Sequence, residues 1–591
     1  MPTDPEPLLA DPDARAGLSD GPIPRAERWA AALFLFAAFL LRCFYIFRFR
    51  YDSDEPQHLH TTWGWTQGLI QYRDFFDNHT PLFHLLFSPL VAALVAALGE
   101  RTDILTFMRF AMVPLWFVAL GAVWWIGSRA FSRRAGLWAA VFTALLPWWF
   151  FCALEYRTDN LWAPLWLCSL AVLLSGRLTW QRAFAGGFLL GICACTSMKT
   201  SLLLAVSTLA AVAAPQLCAR RFDAAALVRM LKIALPILAG LVLVPAAVCA
   251  FFAAKGCWDD FVYCVIKHNV MLDVDAKVHH WYQRFAFPIA LPFLLYGASL
   301  VARRAPSPSL ARRRTFLFLF PGLYYVSLES FWALLTRQDY LPFYPLAAIA
   351  ATPLLLWVVE KALARYGNGA ALASRRTGIL CAVALVGIVI ILWGRPPWKN
   401  GTLDEQEILR EALALTRPGE YVMDFKGECV FRPRAFRYVV EPLTYRRMSF
   451  LYTKRDRIQD TIPQDVLAKN VHVVVNRDRW YQKPTIAFLT ENFLNIGQLR
   501  VAGRFLSKET TLPGAPVPFT VTIPARYVLW AEGQPVRGLL DGTPYTGARE
   551  LSAGSHTFLP DAAYRKLTLF WERAAQAGYS PAADQSWQYE R

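Results

Sequence analysis

Apolar positions form long unbroken runs over the first two-thirds of the chain and short alternating runs over the last third. About 20 apolar residues cross about 30 Å of hydrocarbon as one helix. Runs of this kind lie near 28–50, 104–128, 136–154, 160–176, 183–199, 200–217, 233–254, 285–302, 315–335, 341–360 and 377–394, and each predicts a spanning helix. A further apolar stretch, 82–98, is ambiguous between crossing and lying in the membrane surface. Past Trp393 the pattern changes: RPPWKNGTLDEQ reads as a linker, 403–416 as a helix, and EYVMDF and VHVVVN as strands. From about 515, FTVTIP, RYVLWAEG, LLDGTPYTG and ELSAGSHTFLP alternate strand with turn, and the DG and AGSH turns predict a small β-sandwich. The polar, Pro-rich stretch 1–27 predicts a disordered tail, and no small-residue cleavage site follows the first run, which reads as an uncleaved span.

The predicted fold class is therefore mainly α: a polytopic membrane protein of about 11 transmembrane helices, with a carboxyl-terminal α/β and β-rich domain. The expected parts are a tail 1–27, a membrane domain 28–394, an α/β domain 395–510 and a β-rich module 511–591.

Charge sets the expected orientation. If 82–98 does not cross, the clusters Arg129/Arg133/Arg134, Arg177/Arg182, Arg220/Arg221/Arg229/Lys232, Arg303/Arg304/Arg312/Arg313/Arg314 and Lys361/Arg365/Arg375/Arg376 share one face with Arg25 and Arg28. Basic loops stay on the cytoplasmic side. The expectation is a multi-pass protein of a bacterial inner membrane, amino terminus inside and carboxyl-terminal domain in the periplasm. Composition agrees: of 591 residues 55% are hydrophobic and only 18% charged, and 22 Trp and 41 Phe suit a membrane interface. A net charge of +17 in this setting reports loop orientation and not nucleic acid.

The same choice gathers polar chemistry outside. YDSDEPQHLH, DFFDNHTPLFH, EYRTD, Lys199, KHNVMLDVDAKVHH and TRQDY all fall there, with seven of the nine His in these segments or at their edge. Asp52, Asp54 and Glu55 follow the first span directly. They read either as a general base with a helper or as an acidic helix cap. Asp77, Asn78 and His79 precede Pro81 and sit where a helix start binds an anion or is simply capped. Arg157 and Asp159 either pair with each other or leave Arg157 for a phosphate. Lys199 either snorkels from a span end or serves a function. Lys267, His268, Asp273, Asp275, His279 and His280 share one loop, and His with carboxylate suits a divalent ion. Arg337, Asp339 and Tyr340 share another, where Arg337 suits a lipid phosphate or an ion pair with Asp339. Cys257 and Cys264 share a polar loop and could pair in an oxidising compartment. Basic runs after 430 read as a solvated or membrane-apposed face.

Taken in order, these residues resemble a known family. Asp54-Glu55 after the first span, Trp63-Gly64, Gly68 and Pro81-Leu82-Phe83 are similar to the opening of polyprenyl-phosphate-sugar-dependent glycosyltransferases. These are GT-C membrane enzymes, including lipid A aminoarabinose transferases and protein O-mannosyltransferases. The resemblance continues through EYRTDN, GFLLGICACTSMK, VIKHNVMLDVDAKVHHWY and RQDYLPFYPLAAIA, over about residues 28–360. It implies that Asp54 is the catalytic carboxylate, and that Arg157, Asp159, Lys199 and Arg337 match the family's charged outer residues. His268 matches a loop histidine that binds metal in the aminoarabinose branch, with Asp77 a second candidate ligand. Where that branch has Glu-Lys-Pro-Pro, this chain has Asn78-His79-Thr80-Pro81, which replaces both the Glu and the Lys.

The implied activity is inverting transfer of a sugar from a polyprenyl-phosphate donor to a lipid, glycan or protein acceptor on the periplasmic face. Asp54 would act as base with Glu55 and Asp159 beside it, and Arg157, Lys199, Arg337, Tyr340, His79, Asn78 and Lys267 would bind substrate. Two alternatives stand: a polymerase or ligase of lipid-linked oligosaccharide, and a non-catalytic glycan-assembly protein. A transporter fits poorly, because the middle of nearly every span lacks charge.

Overall fold

The structure is a computed structural model that describes residues 22–588 except 177, 220–223, 271–280, 333–334, 364–369 and 508. Asp273, Asp275, His279, His280, Arg177, Arg220, Arg221, Arg365 and most of the amino-terminal tail therefore lie outside the described residues.

Every apolar run expected to span is helical. Among the described residues, seven helices are long and apolar enough to cross a membrane by length and composition: Arg25–Ile46, Asp103–Ala130, Thr200–Ala219, Leu231–Ala254, Phe285–Arg303, Phe343–Leu363 and Leu372–Gly394. The other four expected spans fall short for readable reasons. Pro147 splits one run into Arg133–Leu145 and Pro147–Cys152, because proline lacks the N–H that would continue the ladder. Asp159–Leu174 and Trp180–Thr196 have only 16 and 17 residues. Pro308–Phe331 carries Arg312, Arg313 and Arg314 in its first turns. The ambiguous stretch forms the helix Leu82–Leu98, interrupted in sequence by Pro89.

The chain divides into two compact units. The first takes Met1–Phe49, Asn78–Leu86 and Thr106–Asn400, the second Arg50–Asp77, Phe87–Leu105 and Gly401–Arg591.

In the first unit, helices pack around a core of Trp138, Trp162, Trp166 and Tyr324, all at most 1% exposed. Helices Trp180–Thr196 and Ala224–Ala254 meet backbone to backbone. A Cβ on Gly187 would stand 2.0 Å from the Ile237 carbonyl oxygen, and one on Gly240 would stand 2.2 Å from that of Phe184. Small residues permit this approach, which supplies the van der Waals contact that lipid does not provide. At the arginine-rich end Glu27 is fully buried. It accepts from Arg134 (2.9 Å) and Trp138 Nε1 (3.0 Å) and pairs with Arg376 (3.4 Å), so two of the basic loop residues tie three helices together.

In the second unit the expected helix forms as Leu403–Leu415. VHVVVN yields β1, Val473–Val475, whereas EYVMDF contributes only isolated bridges at Val422 and Met423. A seven-stranded sheet has the order β1, β3 (Leu499–Phe505), β11 (Leu567–Trp571), β5 (Ala525–Ala531), β6 (Gln534–Pro535). β2 (Phe493–Asn495) pairs with β3, and β9 (Arg549–Leu551) with β5. The sheet thus continues across position 510. A four-stranded sheet has the order β4 (Val517–Val521), β10 (Gly554–Pro560), β7 (Gly538–Leu540), β8 (Thr543–Tyr545).

The two predicted turns behave differently. Asp541-Gly542 closes the β7–β8 hairpin with both residues at positive φ (50° and 76°), as a two-residue primed turn requires. The AGSH stretch does not close a hairpin. β9 pairs with β5 and β10 with β4 and β7, so the chain changes sheets there.

Candidate functional site

The second unit holds the first outer acids. Residues Arg50–Ser53 lead into the helix Asp54–Thr66, and its start separates the three carboxylates by task. Glu55 Oε1 accepts from the Asp52 backbone N–H at 2.9 Å, and Asp52 Oδ1 accepts from the Asp54 N–H at 3.2 Å. Asp52 and Glu55 therefore satisfy the open end of the helix as a reciprocal cap, and Glu55 is fully buried. Asp54 turns elsewhere: its Oδ1 accepts from Lys426 Nζ at 2.6 Å. The side chains of the pair are 18% and 14% exposed, so water still reaches them. Burial pulls the Lys426 pKa down, but Asp54 with Glu441 and Asp52 more than offsets it and the net shift is upward. Lys426 stays charged and holds Asp54 as a carboxylate partner.

Sequence reasoning missed Lys426, because some 370 residues separate it from Asp54 and no local pattern links them. The turn that carries it is built by Glu428, whose Oε2 accepts from the Phe425 and Lys426 N–H groups. Gly427, at φ 95°, passes the His60 ring so closely that a Cβ would meet its Cβ at 2.7 Å. His60 is buried, which lowers its pKa, and its Nδ1 lies 2.8 Å from the Val430 carbonyl oxygen. It acts as packing for the turn. Asp77 is also held, by the amides of Gln57 and Gln71 at 3.0 Å each.

The first unit holds a denser knot. Lys199 Nζ lies 2.9 Å from Asp159 Oδ1 and 2.7 Å from Asp339 Oδ1. Asp159 also meets Arg157 Nε at 3.4 Å and accepts from Trp162 Nε1 at 3.0 Å. Asp339 accepts from the N–H and hydroxyl of Thr336, and Gln338 donates to Glu155 at 2.7 Å. Arg157 stands 4.0 Å from Glu155. Asp159 and Asp339 are each 1% exposed and Lys199 is 22% exposed. This brings together three segments of the sequence: the loop before Asp159, the end of the Gly-containing span, and the short 3-10 turn Arg337–Tyr340 reached through Thr336.

The structure places the other candidate residues as follows. Arg157 does pair with Asp159. Lys199 does not snorkel; it bridges two buried carboxylates. Asp339 is taken by Lys199, while the Arg337 guanidinium lies over the Trp148 ring at 4.5 Å. Tyr340 donates to Glu329. Asn78 is tied to Asn269, whose Nδ2 donates to the Asn78 carbonyl at 2.7 Å, and the His79 ring lies 6.5 Å from that of His84. Lys267 is exposed on a π-turn, Tyr263–Lys267, and His268 after it is buried against the Tyr263 ring. Among the described residues no group of three or more His, Cys, Asp or Glu could hold a metal ion. Among the described residues no disulfide forms, and Cys257 and Cys264 are not joined.

No family model and no curated protein matches the chain. Among solved structures it is similar to ArnT from Cupriavidus metallidurans in the apo state, with 14% identity, 81% of this chain and 98% of that one covered, and a TM-score of 0.49. The same protein bound to undecaprenyl phosphate gives 14% identity, 80% and 97% coverage and a TM-score of 0.48. The oligosaccharyltransferase of Archaeoglobus fulgidus, in complex with Zn and sulfate, gives 12% identity, 94% and 98% coverage and a TM-score of 0.44. At these identities and scores the likeness assigns no role to any residue of this chain. What the chain itself displays is a polytopic helical membrane fold with a carboxyl-terminal α/β and β-rich region, and two lysine–carboxylate centres built from residues distant in sequence.

Proposed function

We propose that the chain is a membrane glycosyltransferase of the GT-C kind. It moves a sugar from a polyprenyl-phosphate donor to an acceptor on the periplasmic face of a bacterial inner membrane. The observation that carries this reading is Asp54. Of the three acids after the first span it is the one not used to cap its helix, and it is water-accessible and ion-paired to Lys426.

The chemistry is one displacement at an anomeric carbon. The bond from that carbon to the phosphate oxygen breaks as the bond to the acceptor oxygen forms on the opposite face. The acceptor hydroxyl proton passes to the Asp54 carboxylate, and the polyprenyl phosphate leaves with the electron pair. Cations aimed at the leaving phosphate supply the larger electrostatic term. Lys199 and Arg157 are candidates for that task, and Arg337, stacked on Trp148, is a third. Asp159 is buried beneath two cations, which suits holding Lys199 and Arg157 in place better than accepting a proton. Asn78, His79, Lys267 and Tyr340 are further candidates for substrate contact, and His268 and Asp77 for a divalent ion.

The test compares cells carrying wild type, Asp54→Asn or no copy of the gene. Lipid A, glycans and glycoproteins are analysed by mass spectrometry. A sugar present only with the wild type supports transfer. An unchanged product with Asp54→Asn removes Asp54 as base, and identical profiles in all strains remove the enzyme reading in favour of an assembly role.

A further inference from the structure

A cavity of about 810 Å³ opens in the first unit. Its walls come from helices Asp159–Leu174, Trp180–Thr196, Thr200–Ala219, Ala224–Ala254 and Pro308–Phe331, and nearly all are apolar, with Trp166, Leu170, Ala211 and Leu241 among them. Along Thr200–Ala219 it runs from Leu204 to Pro215, about 16 Å at helical rise. That is the depth of one leaflet of a hydrocarbon core about 30 Å thick.

One end differs from the rest. Ser309, Arg312 and Arg313 line it, beside Gly176. The guanidiniums are fixed by backbone carbonyls: Arg313 donates to Gly176 at 3.2 Å and Arg312 to Pro308 at 3.2 Å. Arg182, held by the Val172 carbonyl at 2.5 Å, is near enough to Arg313 and Arg129 to be repelled by both. Cations gathered at one rim of an apolar cleft attract an anion. This rim lies at the far end of helices Asp159–Leu174 and Thr200–Ala219 from Asp159 and Lys199, as the Cys218–Thr315 contact confirms.

We propose that the cavity is a binding site for one anionic phospholipid, with its phosphate between Arg312 and Arg313 and its chains in the apolar part. By the basic-loop rule the lipid comes from the cytoplasmic leaflet. The shape and charge both match: an apolar slot one leaflet deep, closed by cations where a headgroup phosphate sits. The proposal does not depend on the transferase reading, since it concerns neither Asp54 nor Lys199.

The test uses the full chain reconstituted with equal phosphatidylglycerol and phosphatidylcholine, followed by native mass spectrometry of retained lipid. Wild type is expected to keep one phosphatidylglycerol with a preference of about tenfold or more, each arginine contributing a factor of about five. Arg312→Gln with Arg313→Gln should bring the two lipids to parity. Ala211→Trp, which fills the slot and leaves every charge in place, should abolish retention, and it decides the matter if the arginine variant does not fold. Equal retention of both lipids by wild type, or full retention by Ala211→Trp, overturns the site. So does one-for-one displacement by added undecaprenyl phosphate, which would make the slot a seat for a polyprenyl chain.

Discussion

Two lysines are each paired with carboxylates from distant parts of the sequence, and they are held differently. Lys199, in the helical unit, is gripped by two carboxylates that are almost wholly buried and have further donors of their own. Lys426, in the other unit, pairs with Asp54, and both side chains keep some contact with water. Asp159 lies buried beneath Lys199 and Arg157, whereas Asp54 is partly exposed beside Lys426. The two centres differ in how deeply their carboxylates are buried, although both look alike as short polar motifs in the sequence.

The largest expected effect breaks the comparison on the Lys426 side. Asp54→Asn should lower transfer by about 10²–10⁴-fold while the protein still inserts and keeps its helical circular dichroism. Residual activity within a few-fold of wild type would move the base elsewhere. On the other side, Lys199→Met should act through the fold. It leaves Asp159 and Asp339 buried without their shared cation, at about 3–5 kcal/mol, read as a lower melting temperature in detergent. Equal melting of the two proteins would show that the knot is wetter than its burial indicates.

Lys426→Met should cost less, about 1–3 kcal/mol, and Lys426→Arg should restore most of it. The lysine pKa is raised above its ordinary 10.5 on folding. Its stabilisation is therefore present in full below that value and lost only as pH rises through the higher folded one. Wild type and Lys426→Met should differ in melting throughout pH 7–9, and convergence within that range would count against the pair.

Glu411 sharpens the contrast, as a buried carboxyl next to another acid. Burial and then Glu407 push its pKa up to about 7, so the folded state keeps a proton that the unfolded state releases from about 4.5. Stability should be greatest below 4.5 and fall as pH rises through 7, the opposite direction from an ion-paired acid. Glu411→Gln should flatten that fall in a pH series of thermal melts. The smallest effect is a control in the β7–β8 hairpin. Gly542→Ala should cost about 1 kcal/mol, because φ of 76° strains any residue with a Cβ. Melting is again the measure.

Part of this was legible in the chain. The apolar runs give helices where they are expected, since twenty apolar residues in hydrocarbon must satisfy their backbone internally. The DG hairpin also forms as read. The spanning count is less direct: Pro147 divides one run and short buried helices fill others, because a helix covered by neighbours need not span alone. EYVMDF has strand composition but lacks a continuous partner edge, and strand propensity depends on such a partner. The candidate residues Arg157, Asp159 and Lys199 were named from their surroundings in sequence, and the structure brings them together. Arg337 was named beside Asp339 but stacks on Trp148. The division of labour among Asp52, Asp54 and Glu55 was open, because three adjacent acids look equivalent until their hydrogen bonds are seen.

The sequence by itself determined the membrane class, the helical runs, the change of character after Trp393 and the gathering of polar residues into a few loops. These depend on local composition and on periods of a few residues, which a linear chain displays directly. Only the tertiary structure decided that Lys426 partners Asp54, that Lys199 bridges Asp159 and Asp339, and that an apolar slot ends at Arg312 and Arg313. Each of those joins residues tens to hundreds of positions apart. An ion pair forms by distance in space, and sequence separation carries almost no information about that distance once the chain has folded.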